Sequence, residues 1–258
     1  MDLGLRNKRV LVTGSSSGLG FGIAEGFLAE TARVILTGRN ATTLSASTRK
    51  LKATYGDDRV LSVRGDLQRA TTLDRLLQTV EAEWQAIDIL VLNLGSGRSV
   101  LRLEATEAEW SRVLTLNLTS GMEMLRRAAP LLAKGEAPSV VVIGSIAGLE
   151  ALGAPIAYGA AKAALTHATK AAARILAPGI RVNMVAPGNI VFKGGTWERK
   201  LKEDGKTVRD MLQREVPLRR LGTVEEIVAP VLFLASPLAS FITGTVLVAD
   251  GGQCRSHA

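Results

Sequence analysis

The stretch that most constrains this chain is residues 9–20, Arg-Val-Leu-Val-Thr-Gly-Ser-Ser-Ser-Gly-Leu-Gly. Val10, Leu11 and Val12 form a short apolar run of the kind buried on both faces of a parallel sheet. The run stops at Gly14, passes three serines, and resumes at Gly18-Leu19-Gly20 as a helical pattern continued by Ile23, Ala24, Phe27 and Leu28. A strand, a glycine turn and a helix in that order aim free backbone N–H groups and a helix N-terminus at one spot, which attracts phosphate. Gly14, Ser16, Ser17, Gly18, Leu19 and Gly20 are therefore the first binding candidates. Glycines let a pyrophosphate approach the backbone and let the helix pack close to the strand. The spacing of Gly14, Gly18 and Gly20 is not the common G-x-G-x-x-G fingerprint, and an ordinary glycine-rich βα turn would read the same. The turn alone leaves nucleotide binding open.

The rest of the chain repeats the alternation. Strand-like runs at 33–37, 59–64, 87–92, 139–143, 180–185 and 245–249 are separated by helical patterns near 43–52, 73–80, 107–133, 155–176 and 224–234. Strict alternation predicts right-handed crossovers and an α/β fold, a doubly wound parallel sheet of about seven strands with helices on both faces. No Pro/Gly/Ser-rich linker or internal repeat divides it, so residues 1–258 read as a single domain. In such sheets ligands bind beyond the carboxyl ends of the strands. Small or polar residues stand at every predicted end: Gly14, Arg39, Asp66, Asn93, Ser145 and Pro187. Their convergence makes nucleotide binding the better reading.

Composition excludes other classes. With 47% hydrophobic and 22% charged residues the 258-residue chain is globular. No run is long enough to span a bilayer, residues 1–6 lack a signal-peptide core, and the expected setting is cytoplasmic. One cysteine, Cys254, permits neither an internal disulfide framework nor a cysteine-based zinc site, and His167 and His257 do not suggest a metal centre. A net charge of +8 could serve nucleic acid, but the basic residues are interleaved with acids. They form no stripe with aromatic platforms, so an anionic cofactor is the simpler partner and no nucleic acid is expected.

Two positions speak to the cofactor. Where an acidic side chain would take the adenosine ribose hydroxyls of NAD, the chain reads Thr37-Gly38-Arg39. A guanidinium there suits a 2′-phosphate, so NADP(H) is favoured over NAD(H). Asp66, followed by Leu67, stands where the adenine edge would lie, although an Asp there can equally cap the next helix.

The chemistry is carried by Tyr158-Gly-Ala-Ala-Lys162. Residues four apart share a helix face. An ammonium beside a phenol stabilises phenolate, bringing a group with an ordinary pKa of about 10 toward working pH. Such a pair is often accidental, but Ser145 at the end of the preceding strand adds a hydroxyl able to hold a substrate oxygen.

The ordered set Thr13-Gly14-Ser-Ser-Ser-Gly18-Leu-Gly20, Asp66, Asn117, Ser145, Tyr158/Lys162 and Pro187-Gly188 resembles the short-chain dehydrogenase/reductase (SDR) family over nearly the whole chain, especially its 3-oxoacyl-(acyl-carrier-protein) reductase-like members. The resemblance implies that Tyr158 is the general acid/base and that Lys162 lowers its pKa and binds the nicotinamide ribose. It further implies that Ser145 orients the carbonyl and that Asn117 holds a water in a proton relay to Lys162. Asn93, Gly95, Pro187, Gly188 and Ile190 would complete the cofactor wall. It also implies a homo-oligomer, a dimer or a tetramer.

Two departures stand out. The family's Asn-Asn-Ala-Gly is here Leu92-Asn93-Leu94-Gly95, and the Thr expected after Pro187-Gly188 is absent from Asn189-Ile190-Val191-Phe192. Nicotinamide binding then leans on the Ile190 backbone or another group. Residues 192–216 read as a charged insertion with a short amphipathic pattern at Val208, Met211 and Leu212, and as a substrate lid. Arg98, Leu149, Leu152 and Trp197 are candidate pocket lining. The expected function is NADP(H)-dependent hydride transfer between nicotinamide and a small ketone or alcohol. The 3-oxoacyl reductase variant would need basic helix ends to meet an acidic acyl carrier protein. The ends here, Lys134-Gly135-Glu136 and Ala177-Pro178-Gly179, match that poorly. A catalytically idle NADP(H)-binding regulatory protein is the alternative.

Overall fold

The computed structural model describes residues 2–101 and 103–256. His257, read above as no part of a metal site, lies outside the described residues. Among them seven strands form one sheet: β1 (Arg9–Val12), β2 (Arg33–Gly38), β3 (Val60–Arg64), β4 (Ile89–Leu92), β5 (Ser139–Ile143), β6 (Arg181–Pro187) and β7 (Val246–Ala249). Their order is 3-2-1-4-5-6-7 and every pairing is parallel. The predicted doubly wound sheet is present. Strand order reverses between β1 and β4, which opens a crevice beyond their carboxyl ends.

Alternation along each strand sorts side chains between two cores. Val10, Val12, Val34, Leu36, Ile89 and Val91 pack with Ile23 and Phe27 of α1 (Gly18–Ala29) and with Ile227 and Val231 of α8 (Glu225–Ala235). Leu11, Ile35, Leu90 and Leu92 face the other way. They meet Leu73 and Leu76 of α3 (Ala70–Trp84), which follows α2 (Ala41–Tyr55), together with helices on the far half of the sheet. At the opposite end of the strands from the crevice, Asp88 takes Arg9 in a bidentate ion pair and also accepts the backbone N–H groups of Arg9 and Glu136. That end is tied shut.

Two elements differ from the sequence reading. The helix expected over 107–133 is α4 (Glu107–Leu114) and α5 (Ser120–Leu132), joined by a π-helical turn at Thr115–Thr119. The charged segment after β6 is mostly helix: α7 (Thr196–Glu215), bent at Asp204, follows α6 (Ile156–Leu176) and β6. Among the described residues no helix is long and apolar enough to cross a membrane.

Candidate active site

The turn after β1 is built by two side chains that sequence reasoning passed over. Ser15 Oγ donates to Val12 O at 2.7 Å and accepts the Thr37 N–H at 2.9 Å. Thr37 Oγ1 accepts the Gly14 N–H at 2.9 Å. Ser15 and Thr37 are wholly buried, so these bonds lock the ends of β1 and β2 together. Gly14 and Gly18 adopt φ +62° and +57°, the left-handed region that suits glycine. Ser17 makes no side-chain cap on α1. The helix therefore begins with first-turn N–H groups that lack a side-chain partner, at a wall lined by Ser16, Ser17, Gly18, Leu19 and Gly20.

These residues open onto a continuous cleft of about 1870 Å³ along the carboxyl ends of the strands. Arg39, Asp66, Leu67, Asn93, Gly95, Ser145, Tyr158, Lys162, Pro187, Gly188 and Ile190 all line it, as does Gly14. Arg39 is exposed, and its carbonyl accepts from Arg64 Nε at 3.4 Å, which brings a second guanidinium to that end. Asp66 does not cap α3, whose N-cap residue is Arg69. It lines the cleft while its Oδ1 accepts from the Gln68 backbone N–H at 3.1 Å, closing the turn before α3. Asn93 steadies the sheet end. Its N–H donates to Thr13 Oγ1 at 2.8 Å, and its Nδ2 donates to the carbonyls of Thr13 and Gly14 at 3.2 and 3.1 Å.

Asn117 is placed differently from its expected partners. It is 2% exposed and lies behind the cleft wall. Its Oδ1 accepts the Ser96 N–H at 2.9 Å, and its Nδ2 donates to Ser96 O at 3.2 Å and Val113 O at 3.0 Å. The π-helical turn carries this side chain into register with the loop after β4. A Cβ built on Gly95 would stand 2.9 Å from Asn117 Oδ1 and 3.3 Å from Lys162 Nζ, so both side chains converge on that glycine.

Lys162 is 3% exposed and donates to Ile143 O at 2.9 Å, while its Nζ lies 6.0 Å from the centre of the Tyr158 ring. Burial lowers the Lys162 ammonium to about 8. Burial also pushes the Tyr158 phenol up, and hydrogen bonding with the Ser145 hydroxyl opposes this. Burial of the phenol thus works against the lowering that the four-residue spacing suggested. Ser145 reaches the phenol because the segment after β5 packs tightly on α6: a Cβ on Gly148 would meet the Lys162 backbone at 2.5 Å.

The substrate end departs from expectation at one position. Arg98, Leu152 and Trp197 line the cleft, but Leu149 does not; Glu150 takes the wall instead. Glu150 Oε1 accepts from the backbone N–H groups of Arg255 and Ser256 and from the Ser256 hydroxyl. The C-terminal segment is thereby drawn across to the cleft. Contacts spanning more than a hundred residues carry no local sequence signal.

A doubly wound sheet with a phosphate-type turn at one end of the cleft and a Ser/Tyr/Lys cluster at the other defines a dinucleotide-dependent oxidoreductase. Comparison with known proteins agrees. The family model described as enoyl-(acyl carrier protein) reductase matches residues 14–253. A 3-oxoacyl-(acyl-carrier-protein) reductase of Chlamydia trachomatis is 34% identical over 254 residues, covering 96% of this chain and 98% of its own. Among solved structures, L-sorbose reductase from Gluconobacter frateurii, complexed with NADPH and L-sorbose, superposes with a TM-score of 0.92 at 29% identity over the full length of both chains. The Pseudomonas aeruginosa RhlG/NADP active-site complex gives 0.88 at 32% identity, covering 97% of this chain and 98% of that one. The chain belongs to the short-chain dehydrogenase/reductase family.

Proposed function

We propose that this protein is an NADPH-dependent reductase of a small carbonyl compound. The observation that carries the reading is the meeting of Ser145, Tyr158 and Lys162 at one end of the cleft whose other end is the glycine turn. The residues present fit a dinucleotide. The first turn of α1 offers uncapped N–H groups, and a Cβ on Gly38 would lie 2.7 Å from Ser16, so only glycine keeps that floor clear. Arg39, with no carboxylate beside it at the end of β2, favours a 2′-phosphate. Similarity to proteins solved with NADPH or NADP supports the same choice.

Bound NADPH supplies the hydride. Ser145 holds the carbonyl oxygen toward the Tyr158 phenol, which its surroundings keep protonated and able to donate. The Lys162 ammonium, anchored on Ile143 O, would bind the nicotinamide ribose and stabilise the phenolate left after proton transfer. Asn117 acts from behind, fixing the Ser96 backbone beside Gly95, the glycine on which its side chain and that of Lys162 converge. Placement and proton delivery are the protein's share of the catalysis. The reading includes α7 as a substrate lid, an untethered ketone rather than a carrier-bound acyl group, and a homo-oligomer, for which the exposed Ile175, Leu238 and Phe241 offer apolar surface.

The test is NADPH oxidation with a panel of ketones by wild type and Tyr158→Phe. Wild-type turnover that drops by about a hundredfold or more in the variant supports the proposal. Equal rates in both proteins, or none in wild type, support the idle cofactor-binding alternative.

A further inference from the structure

The substrate end of the cleft carries cations that form no salt bridge among the described residues. Arg98 lines the cleft with Tyr158 and follows Gly97, whose Cβ position lies 3.9 Å from Tyr158 Cζ. Its backbone is fastened on both sides. The Arg98 N–H donates to Ser96 Oγ at 3.2 Å, and its carbonyl accepts from Arg112 at 2.9 Å. Arg112 is itself held by both oxygens of Glu109, at 2.7 and 2.8 Å, and Ser99 Oγ donates to the same carboxylate at 2.7 Å. Glu109 is thus spent on Arg112 and Ser99. The Arg98 guanidinium is exposed and has no carboxylate partner among the described residues.

The facing wall has the same sign. Lys200 stands over the Trp197 ring at 4.5 Å, and Arg214 lies on the same helix; neither is paired with a carboxylate among the described residues. Of the carboxylates lining this end, Glu215 is paired with Arg255 at 3.4 Å, while Glu150 keeps its charge and turns one oxygen to the C-terminal segment. Asp66 is at the distant adenine end, closing its own turn.

We propose that this mouth selects a short oxo acid, whose carboxylate is taken by Arg98 while its carbonyl meets Ser145 and Tyr158. An arginine fork matches a carboxylate in two parallel hydrogen bonds, and Arg98 lines the same cleft as Tyr158 on a loop whose backbone is fastened. The proximity of Gly97 to the phenol limits the spacer between carbonyl and carboxylate to a few carbons. Lys200 and Arg214 add longer-range attraction that screens with salt. This assignment rests on the reductase reading above and narrows its substrate.

The experiment compares acetoacetate and levulinate with their methyl esters at saturating NADPH. Each acid should be preferred over its ester by about tenfold or more in kcat/KM, the ratio expected for one charged hydrogen-bond partner. That ratio should collapse toward unity in Arg98→Gln, recover in part in Arg98→Lys, and shrink with added NaCl. Arg98 is exposed, so neither variant disturbs the core. Equal use of acid and ester, or a ratio unchanged by Arg98→Gln, overturns the proposal. So does efficient reduction of a carrier-bound acyl thioester with indifference to the free acids. If NADPH binds but no ketone turns over, selective perturbation of NADPH fluorescence by the acids over the esters supports the anion site, and equal response overturns it. A protein that binds no NADPH overturns the reductase reading and this one together, whereas a charge-blind reductase overturns this one alone.

Discussion

The ring of Phe192 lies directly against Gly18, so that a Cβ built on the glycine would come within 2.8 Å of the ring. Phe192 stands in the segment where the family resemblance leads one to expect a threonine, and it joins the start of the α7 segment to the phosphate turn.

Gly18→Ala should therefore damage cofactor binding twice over. Alanine at φ +57° costs about 1–2 kcal/mol, and its methyl group displaces the Phe192 ring. NADPH affinity, followed by fluorescence titration, should fall by about tenfold or more. Adding Phe192→Ala should restore only the steric part. A Gly18→Ala protein that binds as wild type does would remove the turn from the cofactor site.

Under the proposed function, Arg39 sets the choice between dinucleotides. Arg39→Asp should reverse the preference, raising kcat/KM with NADH and lowering it with NADPH by about tenfold or more, because a carboxylate suits ribose hydroxyls and repels a 2′-phosphate. Unchanged cofactor ratios would move the 2′-phosphate elsewhere, with Arg64 the next residue to test.

The pH profile follows from burial. Lys162 is lowered to about 8, so it is an ammonium below that pH and loses its charge above it. Tyr158 is raised and stays protonated through the same range. Reduction, measured as kcat/KM, should hold at neutral pH and decline as pH rises through about 8. A profile that climbs there would contradict an acid phenol supported by a charged lysine.

Stability depends on the other end of the sheet. Burial alone would raise Asp88, but hydrogen bonds from Arg9 and the Glu136 backbone hold it below the usual carboxylate range. A depressed folded pKa stabilises above the unfolded value, and that contribution is lost as pH falls toward the folded one. Asp88→Asn leaves the partly buried Arg9 without its counter-charge and should cost about 3 kcal/mol in urea denaturation at neutral pH. The gap between wild type and variant should narrow in acid. An equal gap at all pH values would refute the ion-pair account.

How much of this was legible before folding depended on the range of the contacts. The strands announced themselves because burial on both faces demands unbroken apolar runs such as Val10-Leu11-Val12 and Leu90-Val91-Leu92. Helix α7 showed only its second half, in the pattern of Val208, Met211 and Leu212, because Val208 and Leu212 are its only buried residues. The π-helical turn at Thr115–Thr119 was hidden. Its geometry accompanies hydrogen bonds between Asn117 and Ser96, twenty-one residues away.

The order of strands and helices, the glycine turn, the missing acid at Arg39 and the Tyr158/Lys162 spacing were all determined by the sequence itself, since each is written in residues close together along the chain. Tertiary structure alone decided that Asn117 stands behind the cleft, that Glu150 rather than Leu149 walls it, and that burial pushes the Tyr158 phenol up. Those outcomes depend on which distant groups exclude water from a side chain or hydrogen-bond to it, and solvation and long-range pairing exist only once the sheet has brought the strand ends together.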